Sequence, residues 1–366
     1  MRLNLELGEQ PAVSDAAAVE LLHGLVAIPS PSGREADAVE YLVGAMRTLG
    51  LDAYVDETGN AVGGIGAGRP EVVLLGHIDT VAGEVPLRLM DGRLYGRGAV
   101  DAKGPLSAFV AAVAHLHAAG APSGRLTVIG CVEEEAPSSR GAHGVLERYR
   151  PDFCIVGEPS GVDTLTLGYK GSLRARIRVT EPCGHSAHDR STAAEQAIDL
   201  WQHIRAWAAE VNAGRERAWD RVIPALVGIA SGGDGLHEWC DLELSIRLPE
   251  QLDPCTAESR LRELAGDAVL DVLGAVPAFR APRVSPLVRA FTTALRGHGA
   301  VPRFVVKTGT SDMNLTGPAW HCPMLAYGAG DSSLDHTPHE HILLADYLRS
   351  ISVLEQVLRL LVPSGM

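Results

Sequence analysis

The chain has 366 residues, of which 46% are hydrophobic and 21% charged, and a formal net charge of −13. That length exceeds one typical core and suits two domains, and the acidic balance argues against nucleic acid as a partner. No apolar run reaches the roughly 20 residues needed to span a bilayer, and Met1–Glu6 lacks the apolar core of a signal peptide, so a cytoplasmic protein with no membrane contact is expected.

Residues 15–28 carry Val19, Leu22, Leu25 and Val26 at helical spacing and stop at Ile28-Pro29-Ser30-Pro31. A second helix is expected over 35–49, ending near Gly50. The runs 71–76, 125–131 and 154–157 are apolar and of buried-strand length, and 104–119 is an alanine-rich helix. Strands alternating with helices predict an α/β domain built on a mostly parallel sheet covered on both faces.

The pattern changes near residue 168. Residues 172–179 alternate with period two, as a strand with one dry and one wet face does. A helix over 192–212, strands at 225–230 and 242–247, a helix at 254–266 and a strand near 268–274 follow. That β-α-β-β-α-β order fits a small α+β, ferredoxin-like insertion. The proline-rich stretch 275–286 reads as the return linker, and 286–362 resumes the α/β pattern. The expected division is 1–167 with 282–366 for the main domain and 168–281 for the inserted one. Six cysteines, at 131, 154, 183, 240, 255 and 322, form no close pair and read as free thiols.

Open α/β sheets place their clefts at strand ends, and polar residues collect there. His77-Ile78-Asp79 follows the first buried strand, with His77 and Asp79 pointing the same way. Asp101 lies in the glycine-flanked Gly96–Gly104 stretch, where it suits both a shared metal ligand and a helix N-cap. Glu133-Glu134-Glu135 puts three carboxylates at one strand end, an arrangement that a cation makes tolerable and that a solvated acidic turn also explains. Glu158 follows the next strand, and His336, His339 and His341 cluster near the C-terminus. His, Asp and Glu at strand ends are N/O donors of the kind zinc accepts.

Taken in order, the motifs G-H-I-D-T, G-R-G-A-V-D-A-K-G, E-E-E, G-E-P, G-H-S, I-R-L-P, G-T-S-D and D-H-T-P-H-E resemble those of the cocatalytic zinc aminoacylase/carboxypeptidase family over nearly the whole chain. The resemblance implies a dinuclear-metal catalytic domain with an inserted lid and dimerisation domain, and two divalent ions, zinc or cobalt. His77 and Glu158 would bind one ion, Glu135 and His336 the other, and Asp101 both. Asp79 would orient His77, the Asp101–Ala102 peptide would be cis, and Glu134, rather than Glu133 before it, would be the general base. His185, with His188 as the nearby alternative, would supply an oxyanion donor. Arg247 would bind a substrate carboxylate, and the loop with Gly309 and Thr310 would bind substrate.

The finer resemblance is to the branch that releases lysine or ornithine from the C-terminal glutamate of an acidic amino-group carrier protein. A small-molecule deacylase, of the acetylornithine or succinyl-diaminopimelate type, and a di- or tripeptidase are the alternatives. The resemblance also implies a homodimer. Arg174, Arg176 and Arg178, on one face of a strand with Lys170 just before it, form a basic stripe that could guide an acidic carrier or be an ordinary solvated face.

Overall fold

Strand Glu71–His77 is buried along almost its whole length. The reason is its neighbours: Arg125–Cys131 pairs on one side and Phe153–Gly157 on the other, both parallel. A strand with parallel partners on both edges and cover on both faces reads as a continuous apolar run rather than an alternating one. The computed structural model describes residues 14–120, 123–185, 187 and 189–362.

The chain divides into two units. The first comprises Met1–Leu167, Ala281–Val305 and Ala319–Met366; the second comprises Gly168–Arg280 and Val306–Pro318. In the first, the sheet runs Asp52–Val55, Ala61–Gly66, Arg125–Cys131, Glu71–His77, Phe153–Gly157, Met324–Ala326 and Thr164–Tyr169. The middle four strands are parallel and the flanking ones antiparallel. The parallel core was legible in the sequence. The flanking strand Ala61–Gly66 was not, because glycines at 63, 64 and 66 erase its periodicity.

Helix Lys103–Ala118 lies against this sheet and is buried nearly throughout. The approach is close. A Cβ on Gly157 would come within 2.8 Å of the Phe109 ring. Leu106 and Phe109 are both 0% exposed, and each such burial stabilises by roughly 1.5–3 kcal/mol. Lys103, 1% exposed, donates from Nζ to the carbonyls of Leu25 (3.1 Å) and Ile28 (2.6 Å), fixing the helix start to the end of helix Asp15–Val26.

In the second unit an antiparallel sheet runs Ile223–Gly233, His237–Leu248, Gly171–Pro182, Val269–Val276. Leu173, Ala175, Ile177 and Val179 form a core with Ala197, Leu200, Ile204 and Trp207 of helix Ala193–Val211. That helix opens with a capping box, Thr192 and Glu195 each bonding the other's backbone. Helix Pro254–Ala265 is capped by Asp253, whose side chain accepts from the N–H of Cys255 and Thr256.

Two expectations need correction here. The stretch 275–286 is not a plain linker: strand Val269–Val276 reaches into it, and Phe279–Arg280 pairs with Gly168–Tyr169. Residues 306–318 fall in the second unit rather than with the 282–366 stretch. Asn314 accounts for this, donating to the carbonyls of Tyr169 (3.3 Å), Lys170 (3.0 Å) and Pro277 (2.8 Å). Among the described residues no helix is long and apolar enough to cross a membrane.

Candidate metal centre

Parallel register brings the site together. His77 stands opposite Cys131, and Gly76 opposite Gly157. The residues that follow these strands, Asp79, Glu134, Glu135 and Glu158, therefore emerge at one sheet edge, as the strand-end rule anticipates. Asp101 immediately precedes the helix start, on a cis peptide to Ala102. His336 comes from the loop before strand His341–Leu343.

One carboxylate joins the two imidazoles. Asp101 Oδ1 is 3.2 Å from His77 Nε2, and its Oδ2 is 3.1 Å from His336 Nε2. His336 Nε2 also lies 2.8 Å from Glu135 Oε1. Among the described residues, three groups of donors converge closely enough to hold a metal ion: His77, Asp101 and Glu158; Asp101, Glu135 and His336; and His77, Glu134 and Glu135. The first two share Asp101. Asp101 is not the helix N-cap that its position also suggested. The cap residue is Ala102, with no side-chain bond, and the carboxylate of Asp101 is directed to the imidazoles.

Burial works against charging His77, yet its hydrogen bonds to Asp101 and Asp79 raise its pKa well above the usual imidazole value. Asp101 and then Glu135 push His336 up to about 10. Burial works to raise the Asp101 carboxyl, but His336 and His77 hold it below the ordinary carboxylate range. The imidazoles of His77 and His336 and the carboxylates around them are N and O donors of the kind a divalent cation accepts.

Asp79, 0% exposed, has a wider part than orienting His77. His77 Nδ1 is 3.0 Å from the Asp79 main-chain carbonyl and 3.5 Å from its carboxylate. The carboxylate accepts the backbone N–H of Glu134 and of Glu135, each at 3.0 Å, and the Ser32 hydroxyl at 2.7 Å. Glu133 turns away from this cluster at a positive φ of 57°, and pairs with Ser138 (2.6 Å) and Arg140 (2.7 Å). Of the C-terminal histidines, His336 belongs to the centre. His341 instead donates from Nδ1 to the His339 carbonyl at 2.8 Å and packs on Tyr95.

The remaining expected site residues lie in the second unit. Arg247 Nη1 donates to Thr310 Oγ1 at 2.7 Å, so these two are brought together. His185 accepts from the Ala187 N–H at 3.1 Å. Gly309 has open space around it. His188 lies outside the described residues. Sequence reasoning missed Ser32, Arg97 and Glu340. Glu340 and Arg97 each had a signal, as the last residue of D-H-T-P-H-E and the second of G-R-G-A-V-D-A-K-G.

The chain is similar to known proteins over most of its length. A family model described as peptidase family M20/M25/M40 matches residues 73–360. A [LysW]-lysine hydrolase of Deinococcus radiodurans is 46% identical, covering 96% of this chain and 99% of the relative. A [LysW]-lysine/[LysW]-ornithine hydrolase of Saccharolobus solfataricus is 28% identical, covering 89% and 91%. Among solved structures, an M20 family metallo-carboxypeptidase from Sulfolobus solfataricus superposes with a TM-score of 0.79 at 19% identity, covering 94% of this chain and 98% of that one. A dinuclear metal binding peptidase of Bacillus subtilis superposes with a TM-score of 0.68 at 13% identity, covering 95% and 98%.

Proposed function

The chain belongs to peptidase family M20/M25/M40, and from that premise we propose that it is a metal-dependent amidohydrolase releasing lysine, or ornithine, from the C-terminal glutamate of an acidic amino-group carrier protein. The observation that carries the reading is Asp101, whose two oxygens face two different imidazoles, within two donor groups that it shares. This is a ligand set for two divalent ions with one ligand in common. His77 and Glu158 would hold one ion, Glu135 and His336 the other. Mixed imidazole and carboxylate donors suit zinc, and cobalt accepts them too.

When bound, such ions supply Lewis acidity, activating water and polarising the acyl carbonyl. The chain's own residues handle protons and placement. The Asp79 carbonyl accepts a hydrogen bond from Nδ1–H of His77, which keeps the proton on Nδ1 and leaves the Nε2 lone pair to bind an ion. The Asp79 carboxylate fixes the backbone of Glu134 and Glu135. Glu134 accepts a proton from the attacking water and returns it to the amine nitrogen as the C–N bond breaks. Glu133, engaged with Arg140 and Ser138, is poorly placed for that task. In the second unit, Arg247, Thr310 and Gly309 form the substrate-binding group of this reading, with His185 as the oxyanion donor that the resemblance implies. A homodimer acting in the cytoplasm completes it.

The carrier-linked substrate is supported by the names of the relatives and by their near full-length match. One observation favours the small-molecule alternative. The net charge is −13, and Arg176 and Arg178 are paired with Glu243 (2.8 Å) and Asp241 (2.6 Å). Arg176 and Arg178 are therefore rungs of a cross-strand charge ladder, Arg174 stands opposite Ser245, and Lys170 is buried, so the four do not form a bare landing surface. Hydrolysis of carrier-linked lysine, carrier-linked ornithine, N-acetylornithine and succinyl-diaminopimelate, each followed by mass spectrometry, separates the readings. The proposal expects the two carrier-linked substrates to be cleaved at the highest kcat/KM, and cleavage abolished in Glu134→Gln. A preference for N-acetylornithine would make the chain a small-molecule deacylase.

A further inference from the structure

The segment that delivers Asp101 is wrapped around a buried carboxylate from another loop. Glu340 is 0% exposed. Its Oε1 accepts the backbone N–H of Val100 at 3.0 Å and of Asp101 at 3.2 Å. Its Oε2 accepts from Arg97 Nη1 at 2.7 Å, and its main-chain carbonyl accepts from Gly96 N at 3.3 Å. Arg97 reaches further, to the carbonyls of Gly83 (3.1 Å) and Thr337 (3.4 Å). One ion pair therefore ties the loop after Asp79, the loop ending in Asp101 and the loop carrying His336.

This segment lacks the usual local support. The helix after Asp101 has no side-chain N-cap, because Ala102 occupies the cap position and the Asp101 carboxylate is directed to His77 and His336. Val100 and Asp101 precede the cap, so their N–H groups lie outside the helix's own hydrogen bonding and need an acceptor elsewhere, since buried backbone donors are seldom left unmet. Glu340 is that acceptor. A buried ion pair is a poor source of stability in itself, because desolvation offsets much of the attraction, while removing one partner is strongly unfavourable. Its retention is better explained by what it holds in place.

We propose that Glu340 is a positioning residue for the two-cation centre: with Arg97 as counter-ion, it fixes the Asp101 backbone so that each carboxylate oxygen faces its own imidazole. The inference rests on the two-cation reading and assigns Glu340 no contact with substrate. It makes the final residue of D-H-T-P-H-E a support for Asp101, while the first histidine of that motif is itself a donor.

The test uses the full-length protein as wild type, Glu340→Gln and Arg97→Gln, stripped of metal and titrated with Co(II). Three quantities are read: ions bound per chain, the visible Co(II) absorption spectrum, and amide hydrogen exchange at Val100 and Asp101. Glu340→Gln should weaken Co(II) binding by about 10- to 100-fold, the range expected when a group supporting a ligand is lost. It should alter the spectrum and speed exchange at both amides, and lower the melting temperature by on the order of 5–10 °C while the protein stays folded. Arg97→Gln should shift all three in the same direction by less. A folded Glu340→Gln protein with wild-type affinity, spectrum and exchange overturns the proposal. So does loss of the fold in both variants, which would make the network a general structural support. If wild type itself binds fewer than two Co(II), the two-cation reading fails separately, and exchange in the metal-free protein still decides whether Glu340 holds this segment.

Discussion

The Asp79 carboxylate accepts the backbone N–H of Glu135 at 3.0 Å, while its other oxygen accepts that of Glu134 at the same distance. A residue that ends one strand thereby sets the main-chain path of the acidic turn that ends the next. The proposed base and a proposed metal ligand share this one support, with Ser32 bracing it from a third segment.

Replacing Asp79 by Asn sets an amide N–H₂ against a backbone donor. We expect Asp79→Asn to lower kcat by about 10- to 100-fold, the usual cost of losing a group behind metal ligands. Far-UV circular dichroism should remain that of wild type. A kcat within about twofold of wild type would show that the turn holds its shape unaided.

The arginine ladder makes a prediction of the opposite kind. Arg178 makes two 2.6 Å bonds to Asp241 and lies 4.8 Å over the Trp239 ring; Arg176 pairs with Glu243. These exposed pairs largely cancel one another's field. Arg176→Gln/Arg178→Gln should change KM for a carrier-linked substrate by less than about twofold at physiological salt. A larger rise confined to the carrier-linked substrate, with a small acyl-lysine unaffected, would restore the stripe as a docking surface.

Lys170 predicts a pH effect on stability. It is 0% exposed and donates to the carbonyls of Ala218, at 2.9 Å, and Arg221. Burial pulls its pKa down from 10.5 to about 8, with Asp220 opposing and Arg247 and Arg215 assisting. Because the folded value lies below the unfolded one, the unfolded chain binds more protons between these pH values, and stability rises with pH across that window. Lys170→Met removes this dependence. The wild-type advantage over Lys170→Met in urea unfolding should grow by on the order of 2–3 kcal/mol from about pH 8 to pH 10. A constant difference would mean that Lys170 stays charged in the folded protein.

The buried parallel strands at 71–77, 125–131 and 153–157 were readable because burial on both faces demands continuous apolar runs. The order of the second unit was readable because its strands alternate and its helices carry explicit caps. What was not readable depends on long-range contacts. Asn314 assigns residues 306–318 to the second unit through three carbonyls, two of them from residues about 145 positions earlier. Ser32 and Glu340 support the centre through hydrogen bonds spanning 47 and about 240 residues, and no local pattern encodes such a partner. The pairing of Arg176 and Arg178 was missed for a related reason. Period two places three arginines on one face but cannot show that Asp241 and Glu243 stand opposite Arg178 and Arg176.

Asp101 is expected to be a ligand shared by two cations. Anomalous diffraction at the zinc edge, from crystals grown with zinc, tests this directly. Two peaks are expected, one bounded by His77, Asp101 and Glu158 and the other by Asp101, Glu135 and His336. A single peak, or peaks that do not share Asp101, would contradict it.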